Sequence, residues 1–200
     1  MKRSRRFSPL ARTPKALGVL AAVSVLAAGA LTGAVPASAN GALLVNPGFE
    51  SGPWGWSSVT TDFNYQTVNN SPYPAAHAGT GKAVLGASGR YGMERISQRV
   101  TLAAGQGYAL SFWTHIRRQP VEHVAFRQLE VTLSSGGVHQ TVVTRTNKDW
   151  NTGYERISVP VPSQWVSSAP REMTISFTVT EDMYNQTPIL IDDVSLDPMG

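Results

Sequence analysis

The sequence predicts an all-β protein, an antiparallel β-sandwich (jelly roll). Apolar and polar residues alternate over several short stretches, and helical periodicity is nearly absent. Glycine-rich turn signals separate the stretches. Roughly eight or nine strands over this length imply two stacked antiparallel sheets.

The first 39 residues stand apart from this pattern. Lys2, Arg3, Arg5, Arg6, Arg12 and Lys15 form a basic leader, an Ala/Leu/Val/Gly-rich run follows, and Ala37-Ser38-Ala39 supplies a small-x-small cleavage site. This is the grammar of a secretory signal peptide. The expected organisation is therefore a cleaved leader at 1–39 and one β-domain at 40–200, released outside the cell with no membrane attachment after cleavage.

Export changes the meaning of the charge. Of 17 Lys and Arg residues, six lie in the leader with none of the 13 acidic ones, so residues 40–200 carry 11 basic and 13 acidic groups, net −2. A basic isoelectric point that belongs to the leader gives no reason to expect nucleic acid. A neutral polysaccharide or a protein surface is the expected partner. The chain has no cysteine, which excludes thiol nucleophiles, thiolate metal sites and disulfide staples.

The strands follow in order. Shorter candidates occupy 83–85, 96–102, 138–144 and 154–159. Residues 109–116 alternate clearly, with Leu110, Phe112, Thr114 and Ile116 on one face and Ser111, Trp113 and His115 on the other. In 126–133, Leu129, Val131 and Leu133 form the inward set and Arg127 interrupts it, opposite Gln128, Glu130 and Thr132. In 172–179, Met173, Ile175, Phe177 and Val179 oppose Thr174, Ser176 and Thr178. Turns fall at 104–107, 134–137 and 151–153. The segment 52–81, rich in Ser, Thr, Asn, Pro and aromatics, is too long for a hairpin loop and reads as functional or as an edge cover. The closing strand 189–196 places Asp192 beside Asp193 among aliphatic residues, which is costly unless a cation neutralises the pair. By parity with Leu190, Val194 and Leu196, Asp192 is expected to point inward.

Leu44-Val45-Asn46-Pro47-Gly48-Phe49-Glu50, Gly55-Trp56, the run from Ala76 to Ala83, the strand around Phe112-Trp113 and the closing Ile191-Asp192-Asp193-Val194 together resemble the galactose-binding-like jelly rolls, in particular the carbohydrate-binding modules of families 4/9 and 22. Thr180-Glu181-Asp182 and the closing segment also resemble the non-catalytic tail domains of actinobacterial secreted peptidases. The first resemblance implies a structural calcium held by Glu50 and Asp192, with Asp193 as the alternative ligand and backbone carbonyls near 80–82 completing the set. It also implies a non-catalytic function, with a polysaccharide or glycan as ligand. The second implies a secreted enzyme or cell-surface protein as partner.

Sugar recognition needs flat aromatic faces and planar polar groups. The polar sides of two strands offer both, nominating Trp113, His115, Arg117, Gln128 and Glu130, with Tyr91 a loop aromatic beside them. Trp113 either lines an open groove or lies beneath the 52–81 segment; the sequence leaves both readings open. Trp56 is expected in the core, and Trp165 under its own loop. Catalytic patterns are weak. No Gly-x-Ser-x-Gly or His-Glu-x-x-His occurs, the four histidines lack ligand spacing, and nothing identifies a carboxylate pair such as Glu130 with Glu155 as acid and base.

Overall fold

The computed structural model describes residues 43–61, 67–118, 126–182 and 187–200. The chain divides between Ala39 and Asn40. The expected leader lies outside the described residues.

Among the described residues the domain is two five-stranded antiparallel sheets. The first has the order β1 (Ser57–Thr60), β4 (Gly92–Leu102), β9 (Arg171–Glu181), β6 (Arg127–Ser135), β7 (Val138–Thr146). The second has the order β2 (Val68–Asn69), β3 (Lys82–Leu85), β10 (Ile189–Pro198), β5 (Tyr108–Ile116), β8 (Glu155–Pro160). One 3-10 turn, Ser163–Trp165, tucks Trp165 against the core. The expected β-sandwich is the observed one. No helix among the described residues is long and apolar enough to cross a membrane.

The inward sets read from alternation meet between the sheets. Leu110, Phe112 and Ile116 of β5, Leu129, Val131 and Leu133 of β6, and Met173, Ile175, Phe177 and Val179 of β9 are all buried. Without disulfides, burial of this apolar surface is the main source of stability. The motif around residues 45–56 completes the core at one side. Phe49 takes a positive φ of 58° and turns its ring inward to 5.1 Å from Trp56. The Trp56 indole N–H donates to the Asn46 carbonyl at 3.0 Å. Gln98 of β4 receives the Val45 N–H and donates back to the Val45 carbonyl (2.7 and 2.8 Å), fastening this segment to the first sheet.

Three expectations need correction. The segment 52–81 contains β1 and the two-residue β2, which polar sequence and short length concealed. Arg127 continues the inward set of β6: it is fully buried and lies opposite Glu181 in register. Finally, Asp192 does not point between the sheets. A register shift between Asp192 and Ser195, with Asp193 at φ 44°, lets Ile189 and Ile191 face the core before the break and Val194 and Leu196 after it. One extra residue in a strand flips every later side chain. Asp192 therefore shares the outer side with Leu190.

Candidate functional site

One end of the outer face of the second sheet is covered, while Arg156, Ser158 and Asp197 at the other end are exposed. Lys82, Val84, Leu190 and Asp192 all project from the covered end, yet each is buried, because the segment 71–81 lies across them. The covering contacts are specific. His77 stacks on Trp113 with ring centroids 3.9 Å apart and planes 15° from parallel. Asp192 receives the N–H groups of His77 and Ala78 at 2.8 and 3.2 Å. The Lys82 ammonium donates to the Ser71 carbonyl at 2.6 Å. Tyr154 of the 150–155 connection donates to the Ala75 carbonyl at 3.0 Å, and its ring meets those of His77 and His115, both at 5.4 Å. Arg117 lies over the Tyr73 ring and donates to its hydroxyl. Of the two readings of Trp113, the covered one holds.

Electrostatics under this cover follow from burial. Burial pushes the Asp192 carboxyl up to about 6, against the pull of the Asp193, Ala78 and His77 N–H groups. Burial lowers Lys82, opposed by the charges of Asp192 and Glu50. His115 is lowered by burial and then by Arg117. Glu50 is held below the usual carboxylate range, chiefly by the Gly81 N–H. It receives the N–H groups of Thr80 and Gly81 at 3.0 and 2.9 Å.

The residues expected to hold calcium thus bond neighbouring parts of one segment, 77–81. Glu50 grips residues 80–81, Asp192 grips 77–78, and Asp193 contacts the His77 ring at 2.6 Å. The donors are hard oxygens, as calcium prefers. A Cβ on Gly48 would lie 3.2 Å from the Asp193 carboxylate and 3.9 Å from that of Asp192, so the glycine leaves room beside both. Among the described residues no group of three or more His, Cys, Asp or Glu side chains converges as a metal site. A cation here would draw its remaining ligands from backbone carbonyls.

The outer face of the first sheet is different. The register aligns its outward residues in rows across β4, β9, β6 and β7: Met93, Thr180, Gln128, Thr146; then Arg95, Thr178, Glu130, Thr144; then Ser97, Ser176, Thr132, Thr141; then Arg99, Thr174, Ser134, His139. No segment like 71–81 overlies it among the described residues, and these side chains are half-buried by their neighbours or exposed. Gln128 donates to Glu130 at 2.7 Å, orienting both planar groups along one strand. Tyr91, exposed just before β4, shares the parity of Met93 and Arg95.

The six expected ligand-binding residues are therefore divided. Gln128, Glu130 and Tyr91 belong to the open first sheet, whereas Trp113, His115 and Arg117 belong to the covered end of the second one. They do not form one surface, because alternation tells inward from outward but not which sheet a strand joins. For the same reason Glu130 and Glu155, on different sheets, do not face each other. Sequence reasoning missed Arg95 and Arg99, whose signal was their outward parity on β4. It also missed a buried polar group: Glu94 receives the Gly86 N–H at 2.7 Å, and Glu181 receives the Ser88 N–H at 3.0 Å and its hydroxyl.

Comparison with solved structures places the architecture. TmCBM61, a carbohydrate-binding module solved in complex with β-1,4-galactotriose, superposes with a TM-score of 0.57 at 22% identity, covering 80% of this chain and 99% of that one. The fold is an antiparallel β-sandwich of the jelly-roll kind, shared with that module. The same architecture serves other chemistry. The Stig cyclase Fisc from Fischerella sp. TAU, solved with a pyrrolidinylidene indole, matches with a TM-score of 0.55 at 15% identity over 80% of this chain and 98% of that one. The cleaved adhesin domain of Lys-gingipain from Porphyromonas gingivalis matches with a TM-score of 0.51 at 17% identity, over 76% and 96%. No family model and no curated protein matches the sequence. At these identities the comparisons bear on fold, and function rests on the site.

Proposed function

We propose that the chain is an exported, non-catalytic glycan-binding module that takes its ligand on the outer face of β4, β9 and β6. The observation that carries this reading is the contrast between the two outer faces: one covered by residues 71–81 where its aromatic residues lie, the other open along its length and lined by hydroxyls and planar polar groups. Gln128, Glu130 and Arg95 would exchange hydrogen bonds with sugar hydroxyls, and threonine methyls, the Met93 side chain and Tyr91 would supply apolar contact. Affinity is expected to be modest, because desolvating hydroxyls offsets much of each polar contact. Affinity electrophoresis against a panel of soluble glycans, including β-1,4-galactan, tests the reading. Retardation by at least one glycan that Gln128→Ala or Glu130→Ala abolishes supports it, and retardation by none rejects it.

The proposal includes a structural calcium held by Glu50 and Asp192, with Asp193 beside them. Bound, it would neutralise a carboxylate that the fold otherwise buries. A second reading, a protein-binding adhesin-like module, draws on the likeness to the gingipain domain and on Trp54 and Tyr73, which are 66% and 71% exposed. Under it, Trp54→Ser and Tyr73→Ser would remove binding to a secreted or cell-surface protein and leave glycan retardation unchanged.

A further inference from the structure

β4 sends two arginines onto the open face four residues apart, about 13 Å along the strand. Among the described residues Arg95 makes no ion pair. Arg99 has only a 3.9 Å contact with Glu172, and both side chains are mostly exposed, at 71% and 68%. Neither guanidinium is held in a fork with a carboxylate, the geometry in which arginine binds most strongly.

Arg99 also faces a cavity of about 220 Å³ at the end of the face, where Glu172, Ser134, Thr174 and His139 join it. The β6–β7 turn walls one side. Gly136 and Gly137 both have positive φ (58° and 81°), as a tight hairpin turn of this hand requires. Ser135 donates to the Glu172 carbonyl at 2.7 Å, fixing the strand ends that form the floor. The cavity is smaller than a typical drug-sized pocket, which suits one sugar residue. Its lining combines a guanidinium and an imidazole with a carboxylate and three hydroxyls, one of them the Ser135 hydroxyl already bonded to the Glu172 carbonyl.

Building on the proposed glycan reading, we infer that this cavity takes an acidic sugar residue, a uronic acid. Its carboxylate sits on Arg99 beside His139, and its ring hydroxyls meet Glu172, Ser134 and Thr174. Arg95 receives a second carboxylate of the same chain. The face therefore selects an acidic polysaccharide although residues 40–200 are net acidic: the local arrangement of charge, not the sum, sets the ligand.

The test compares a defined oligogalacturonate with the same oligosaccharide after its carboxylates are reduced to alcohols, using calorimetric titration of residues 40–200. The oligogalacturonate should bind, the reduced form at least about tenfold more weakly, and added salt should weaken the first far more than the second. Arg99→Gln should lose about tenfold toward the acidic ligand and nothing toward the reduced one, with an unchanged melting midpoint. Equal binding of the two oligosaccharides, or an unaffected Arg99→Gln, overturns the inference. So does equal binding of a sulfated neutral oligosaccharide, which would assign the arginines to any anion. If neutral glycans bind through Gln128 and Glu130 while uronates do not, the inference falls and the glycan-binding reading stands.

Discussion

Gly81 passes so close to Phe49 that a Cβ would sit 2.3 Å from the Phe49 carbonyl oxygen and 2.4 Å from its carbon. Backbone cannot retreat as a flexible side chain can, so Gly81→Ala should lower stability by about 2 kcal/mol or more, read from urea unfolding. Asp192 is a second such position. Its carboxylate accepts three backbone N–H groups, from His77, Ala78 and Asp193, and asparagine would turn an N–H₂ toward at least one of them. Asp192→Asn should cost about 1–3 kcal/mol, and an unchanged unfolding midpoint would contradict that. Glu181 carries a pH signature. Burial raises its pKa, against the Ser88 hydroxyl and N–H and the Arg127 charge. The folded state thus holds this proton more tightly than the unfolded one, so the group's contribution is fully present below the unfolded value and is lost as pH rises through the folded one. Relative to Glu181→Gln, the wild type should gain stability as pH is lowered from 7 to 4 in thermal melts. A constant difference would show that Glu181 titrates normally. At this scale the Asp192-Asp193 doublet was legible because adjacent acidic residues among aliphatic strand positions are rare, and Glu50 was nominated beside it by the resemblance of its motif. The direction of Asp192 was not, since a bulge leaves no mark on composition and reverses parity.

Among the elements, those that bury one face were readable and those that bury none were not. β5, β6 and β9 declare themselves by alternation, whereas β1 and β2 are short, polar and indistinguishable from the loop around them. The most consequential element is the segment 71–81. The length and the Ser/Thr/Asn/Pro and aromatic content of 52–81 pointed to a cover or a function, and what 71–81 does is cover one end of the second sheet by stacking His77 on Trp113. Trp113→Ala should therefore leave glycan retardation intact while lowering stability by about 2 kcal/mol, less than the loss of a fully buried ring. His77→Ala should open Trp113 to acrylamide quenching. Loss of glycan binding in Trp113→Ala, with the fold preserved, would move the site to the opposite face.

Over the whole molecule, two carboxylates from opposite ends of the fold converge on residues 77–81, and a cysteine-free domain gains cross-chain ties there that a disulfide would otherwise supply. If calcium joins them, its removal acts by mass action on the folded state alone. The melting midpoint of residues 40–200 should then fall by several degrees on chelation and recover with added calcium, whereas an unchanged midpoint would leave the hydrogen bonds as the entire tie. The sandwich was legible because periodicity and turns repeat along the chain. The division of the six nominated residues between two faces was not, because sheet membership is decided by long-range pairing that no local pattern encodes. The most direct measurement is amide chemical-shift mapping of a bound glycan oligosaccharide on residues 40–200. Shifts clustered at Arg95, Gln128, Glu130 and Thr178, with Trp113 and His77 unmoved, are the predicted result; shifts clustered instead around Trp113, His115 and Arg117 would contradict it.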